Sequence, residues 1–190
     1  LSFLRILATV NYDIIDYMCK ISKFFMAKTW KDSDISIDPI KDQTIAIIGY
    51  GIQGDAQANN LKDSGLKVIV GLKEGGASWG KAVNDGHNVM SVVEACKMAD
   101  IIHILIPDMV QSQVYKNEIE PNLSEGNALA FSHAAAIYWG WIKAPDNVDI
   151  IMVAPKGPGS KVRETYLDGF GTPSIVAVEQ DKTGTAWDRT

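Results

Sequence analysis

The sequence predicts an α/β fold, a doubly wound and mostly parallel sheet in three layers. Three observations carry that expectation. Short apolar, β-branched runs recur at 44–48 (TIAII), 101–106 (IIHILI) and 149–154 (DIIMVA), as strands buried on both faces read. Helix-like stretches separate them, which implies right-handed βαβ crossovers covering both sides of the sheet. A glycine triplet, Gly49-x-Gly51-x-x-Gly54, falls where the first strand hands over to the first helix.

The elements follow in order. The first strand, 44–48, leads into a helix over 53–64 that Gly65 stops. A second strand spans 67–70. Ser91 and Glu94 form a capping box for a helix ending near Asp100. The strand 101–106 is stopped by Pro107, and the helix 110–119 ends at Glu120-Pro121. Further strands are expected at 128–132, 149–154 and 174–178. The Gly- and Pro-rich stretch 156–173 reads as a long loop with one or two helical turns.

The 190 residues suit one domain, or one domain plus a fragment, with roughly 70% of the unfolded chain's surface buried. A net charge of −5 argues against a nucleic-acid surface, which needs clustered Lys and Arg. Cys19 and Cys96 have no disulfide or metal-ligand spacing, which points to a reducing, cytoplasmic setting. Residues 1–25 are apolar but interrupted by Asp13, Asp16 and Lys20, so neither a membrane span nor a signal peptide fits them. They read as an extension outside the fold, with an amphipathic partner helix as the alternative; the domain proper is expected over 26–190.

A lone G-x-G-x-x-G is a weak signal, and its context decides what it means. Here it follows a strand, precedes a helix and lies within a βαβ unit, the setting of a dinucleotide site in a Rossmann-type fold. Gly49 permits the tight turn, Gly51 lets a pyrophosphate approach the backbone, and Gly54 lets helix pack on strand. The helix N-terminus supplies unpaired N–H groups for the phosphates. The second strand ends Val70-Gly71-Leu72-Lys73, without the acid that grips the ribose of NAD. Lys73 and Ser78 suit a 2′-phosphate instead and point to NADP, although Glu74 weakens the inference. The carboxyl edges of the other strands bring Asp108, Met109, Val110 and Gln111, then Ser132-His133, then Pro155 to Gly159 to the same rim. Of three histidines, His103 reads as core and His87 as surface. His133, just past a strand end, is the candidate for proton transfer.

The segments GYGIQGDAQANNLKDSG, GLKEGGASW, ADIIHILIPDMVQ, IEPNL, ALAFSHA and DIIMVAPKGPG together resemble the N-terminal, NADP-binding domain of the ketol-acid reductoisomerase (acetohydroxy acid isomeroreductase) family, from about Trp30 to Asp181. The resemblance implies a Mg²⁺-dependent alkyl migration of 2-acetolactate or 2-aceto-2-hydroxybutyrate, then reduction by NADPH to a 2,3-dihydroxy acid in valine and isoleucine synthesis. At matching positions it implies Tyr50, Gly51, Ile52 and Gln53 against the cofactor phosphates, and Lys73 and Ser78 at the 2′-phosphate. Asp108, Met109, Val110 and Gln111 would flank the adenosine side or ribose. His133 would be the active-site histidine and Gly159 a further cofactor contact, with Lys156 in the matching active-site loop. The family's metal ligands are carboxylates of a helical C-terminal domain that is expected to be missing from this chain, which alone should then be inactive. Asp146 with Asp149, or Glu118 with Glu120, read as solvated surface pairs rather than substitutes. Self-association into a homo-oligomer is expected. Two rival readings are a β-hydroxyacid dehydrogenase relative and a non-catalytic dinucleotide-sensing domain.

The chain also departs from the family pattern. Residues 134–139 (AAAIYW) replace a Gly-Phe-rich segment with a second His, and Gly54-Asp55 stands for the usual Gly-His. Lys73 stands where Arg is common and Gly76 where Ser is common, and Lys cannot form a bidentate fork on phosphate. Reduced NADP selectivity, or some use of NADH, is therefore expected. A cofactor titration showing NADPH preference equal to or stronger than that of relatives with Arg and Ser would contradict it.

Overall fold

The computed structural model describes residues 29–190; the extension expected over 1–25 lies outside the described residues. The described residues 29–36 lie outside the main unit. There the turn Asp32–Asp34 is closed by the Lys31 N–H donating to the Asp34 carboxylate at 2.9 Å. Ile37–Thr190 form the main unit.

That unit is built on seven strands: β1 Thr44–Ile48, β2 Lys67–Leu72, β3 Asn88–Ser91, β4 Ile101–Ile104, β5 Ala128–Phe131, β6 Asp149–Pro155 and β7 Ser174–Gln180. Their order is β3-β2-β1-β4-β5-β6-β7. All neighbours are parallel except β6 and β7, which run antiparallel. The helices are α1 Ile52–Asp63, α2 Trp79–Asn84, α3 Val92–Met98, α4 Asp108–Val114, α5 Ala135–Tyr138 and α6 Gly159–Leu167. This is the doubly wound arrangement that the alternation of strand and helix predicts.

Strand β1 shows why its sequence is apolar throughout. Ala46 and Ile48 enter a core with Val92, Cys96, Ile119 and Phe131 on one face. Ile45 and Ile47 enter another with Ala58, Leu66 and Ala82 on the opposite face. Its neighbours are β2 on one side and β4 on the other, so chain progression reverses direction at β1. The crevice beyond that reversal is where ligands of such sheets collect.

Several elements differ from their sequence reading. Strand β3 and helices α2 and α5 are too short, at four, six and four residues, to leave a period. The stretch expected as a loop with a turn or two holds the nine-residue helix α6, which starts directly after Pro158. Pro fixes the dihedral needed for helix entry, so its presence marked a start. Helix α4 opens at Asp108, earlier than expected, widens into a π turn over Tyr115–Ile119 and tightens over Glu120–Asn122. Pro121 accounts for the break: it lacks an N–H, and its ring would clash with the carbonyl four residues back. The capping box is present, with the Glu94 N–H donating to Ser91 Oγ at 3.2 Å and the Ser91 N–H to Glu94 Oε2 at 3.1 Å.

Asp149 corrects the reading of that residue as solvated surface. It is fully buried at the start of β6 and faces Arg189, itself 8% exposed, at 3.0 Å. The Lys182 and Thr183 amides donate to it at 2.7 and 3.0 Å and the Thr183 hydroxyl at 2.7 Å. Arg189 also donates to the Gly126 carbonyl at 2.9 Å and to Gln43 Oε1 at 3.2 Å. Burial works against the carboxylate charge, but these donors outweigh it and hold Asp149 below the usual carboxylate range. Removing one partner of a buried ion pair costs about 3–5 kcal/mol, so Asp149→Ala should lower unfolding stability by that amount in urea. An unchanged urea midpoint would contradict this. Because the folded pKa is depressed, the pair's stabilisation is complete above the unfolded carboxylate value of about 3.9 and fades as pH falls below it. Asp149→Asn should flatten that acid slope.

Candidate functional site

At the end of β1 the chain turns under a steric constraint. Gly49 has φ +100°, and a Cβ there would stand 2.7 Å from Ile106 Cγ2 and 3.0 Å from the Leu105 carbonyl. A Cβ on Gly54 would fall 2.1 Å from the Gly49 carbonyl oxygen. The turn therefore packs backbone on backbone. Gly51 is different: nothing lies within 4 Å of where its Cβ would be. Gly51 is also the N-cap of α1 and carries no side chain to cap it; the first bond into the helix is Asp55 N–H to the Gly51 carbonyl at 2.9 Å. The amides of the first turn have no partner within the helix, and their dipole end is positive.

This turn borders a cavity of about 590 Å³ lined by Gly49 to Gln53, by Leu72, Lys73 and Gly76 to Trp79, and by Leu105 to Pro107. None of the lining residues is acidic and Lys73 is basic, so the cavity's charge suits an anion. Lys73 and Ser78 share one wall, and Glu74 stands outside it. Gly76 closes a turn by donating its N–H to the Lys73 carbonyl at 2.9 Å. A Cβ at Gly76 would meet that oxygen at 2.9 Å, so a larger residue there requires the turn to shift.

A smaller cavity of about 190 Å³ shares Gln53, Leu105 and Ile106 with the first. It adds Ile104, Asp108, Gln111, Ser132, His133 and Pro155. The exposed His133 ring accepts the Ala135 N–H on Nδ1 at 3.2 Å, which leaves Nε2 as the protonated nitrogen of the neutral ring. Asp108 Oδ2 stands 3.9 Å from the same Nδ1. Gln111 is buried and donates to the Ile106 carbonyl at 2.9 Å and Asp108 Oδ1 at 3.1 Å. Its Oε1 has no partner among the described residues, a condition that costs about 1–3 kcal/mol.

A polar relay starts in the cavity walls, at Gln53 and Ser132, and runs into the interior. Gln53 donates to the Gly157 carbonyl at 3.0 Å, and Gln57 donates to Gln53 Oε1 at 3.0 Å and to Ser132 Oγ at 3.2 Å. Ser132 donates to the Val153 carbonyl at 2.8 Å, and His103 Nε2 lies 3.1 Å from the same hydroxyl. Burial pushes the His103 pKa down to about 4, so the ring is neutral and acts as donor. The relay fastens the loop before α6 to α1. Helix α6 then lies on α1, because a Cβ at Gly159 would come 2.0 Å from the Ile52 carbonyl oxygen. Asn60 Nδ2 donates to the Val162 carbonyl at 3.1 Å, and Arg163 reaches Asn60 at 2.9 Å and Asp63 at 2.6 Å.

Of the residues singled out from sequence, Gly49, Tyr50, Gly51, Ile52, Gln53, Lys73 and Ser78 line the larger cavity, and Asp108, Gln111 and His133 the smaller. Met109, 93% exposed, and Val110 stand outside both linings, as do Lys156, Gly54 and the buried Gly159. His87 is buried rather than on the surface, with Nε2 3.2 Å from Asn59 Oδ1. Gln57 and the polar role of Ser132 escaped sequence reading; the spacing of Gln53 and Gln57, one helical turn apart, was the available signal.

Residues 39–190 match the family described as acetohydroxy acid isomeroreductase, NADPH-binding domain. The ketol-acid reductoisomerase (NADP⁺) of Nitrosopumilus maritimus is 81% identical over 165 residues, covering 87% of this chain and 50% of that protein. That of Cenarchaeum symbiosum is 76% identical over the same shares. A solved NADH-preferring ketol-acid reductoisomerase from an uncultured archaeon superposes with a TM-score of 0.84 at 46% identity, covering 86% of this chain and 51% of that one. The chain thus spans about half the length of these relatives.

The turn geometry predicts unequal outcomes for two neighbouring glycines. Gly54→Ala forces a Cβ against a backbone carbonyl and should destabilise by about 1–3 kcal/mol or more. Gly51→Ala meets open space and should cost only the N-cap preference of Gly over Ala, under about 1 kcal/mol. Equal losses in a melting experiment would contradict the turn geometry.

Proposed function

This chain belongs to the acetohydroxy acid isomeroreductase family, and on that premise we propose that it is the NADPH-holding portion of a ketol-acid reductoisomerase. The observation carrying this reading is the open Gly51 beneath an uncapped helix N-terminus at the strand reversal. A pyrophosphate fits there: the missing Cβ leaves room, and the free amides of Ile52 and Gln53 supply donors. In our reading Gly49 and Gly54 shape the turn, and Lys73 and Ser78 hold the 2′-phosphate as a cation and a hydroxyl donor. Asp108 and Gln111 face the ribose on the side of the smaller cavity, with Met109 and Val110 beside them at its outer edge. Gly159 takes part by letting α6 approach the cofactor helix.

Bound NADPH would supply a hydride to a carbonyl carbon. The chain's own part is to hold and orient it and to move a proton. His133 presents Nε2–H at the rim of the smaller cavity, where it can exchange a proton with a substrate oxygen. Lys156, exposed directly after β6, belongs to the active-site loop in this reading, next to Pro155 of the smaller cavity. Among the described residues no group of three or more His, Cys, Asp or Glu side chains is gathered to hold a metal. We assign no metal-dependent step to them. No described helix is long and apolar enough to cross a membrane.

The test is a calorimetric titration of NADPH into the chain, with Trp79 in the cavity wall as an optical reporter. Saturable binding is expected, and Gly51→Ala should weaken it at least tenfold because the methyl group occupies the phosphate's place. Absence of heat with both NADPH and NADH, from folded protein, would overturn the reading.

A further inference from the structure

Tyr50 sits between the two glycines of the turn, yet its side chain leaves the cavity for the interior and is 3% exposed. Its hydroxyl donates to Asp85 Oδ2 at 2.8 Å and accepts from Asn59 Nδ2 at 2.9 Å. The His87 ring meets the phenol edge-on at 5.4 Å, and Lys81 Nζ lies 5.0 Å from the ring centroid. Lys81 in turn pairs with Asp55 of α1 and with Asp85 at 3.5 Å. Three segments therefore meet on one phenol: the phosphate turn, α1 through Asn59, and the end of α2 through Asp85.

Helix α2 has six residues, too few to hold its own conformation, so tertiary contacts place it. It is also the far anchor of residues 73–78, whose near anchor is β2. Fixing α2 against the turn fixes the distance from the phosphate turn to Lys73 and Ser78. Burial, and then the bond to the Asp85 carboxylate, raise the Tyr50 pKa, so the phenol stays protonated and remains the donor.

We propose that Tyr50 is a positioning residue for cofactor selectivity: its bond to Asp85 is a strut that sets the wall holding the 2′-phosphate at the right distance from the pyrophosphate turn. The proposal rests on the NADPH reading above. Without the strut, α2 and the loop before it relax outward, and the loss falls on the cofactor that carries the extra phosphate.

The experiment measures dissociation constants of NADPH and NADH for the chain and for Tyr50→Phe. The expected result is a rise of at least fivefold for NADPH with NADH unchanged within twofold. Equal rises for both cofactors would overturn the proposal, since Tyr50 would then support only the turn; no rise for either would also overturn it. Asp85→Ala cuts the strut from its exposed end, so the proposal stays testable if Tyr50→Phe fails to fold. It should reproduce the same selective loss, and an unchanged NADPH-to-NADH ratio in Asp85→Ala would count against the strut. In the double variant the loss should not exceed that of either single change. Failure of the unaltered chain to bind either cofactor would sink the functional reading itself.

Discussion

The arrangement depends on backbone approaching backbone at the start of α1. Because Gly54 lies against the Gly49 carbonyl and Gly159 against that of Ile52, the first turn of α1 is clamped from beneath and from the side. Side chains at either position would push the helix away from the sheet edge. The clamp leaves one face of that turn uncovered, at Gly51. Of the six α-helices of this unit only α3 has a side-chain cap, its full capping box. Helix α1 shares an uncapped start with α2, α4, α5 and α6, and what sets it apart is the open space at Gly51. An uncapped start at the strand reversal leaves amides that a bound anion would satisfy.

Around this clamp the polar groups are arranged as supports. The relay from Gly157 through Gln53, Gln57 and Ser132 to His103 joins α1 to β4, β6 and the end of β5 at the cavity walls. Every hydrogen-bonding direction of Ser132 is used, which gives the relay a single arrangement. Tyr50 is a support of the same kind, bonded to Asn59 of α1 and to Asp85 at the end of α2. Gln111 is the exception, with an acceptor that nothing among the described residues satisfies, next to the cavity that His133 borders.

Local signals made much of this legible. The apolar strand runs, the capping box and the glycine spacing each follow from rules that act within a dozen residues, and β1 occupies the residues its pattern predicts. Rim residues such as Asp108 and His133 were legible because parallel topology sends strand ends to one edge. What escaped depends on partners remote in the chain. Gln57 and Ser132 are 75 residues apart, and Asn60 and Arg163 are 103 apart, so no spacing announces them. Asp149 looked like a charge beside a strand until Arg189, 40 residues on, neutralised it. His87 was misread for the same reason: its buried surroundings are made by Tyr50 and Asn59.

The central claim is that the uncapped amides at Gly51, Ile52 and Gln53 receive the cofactor's pyrophosphate. The most direct measurement is a backbone amide NMR titration of the isotope-labelled chain with NADPH. The account predicts the largest shifts, and new protection from exchange, at these three amides. Saturable binding that leaves them unmoved while perturbing another part of the surface would contradict it.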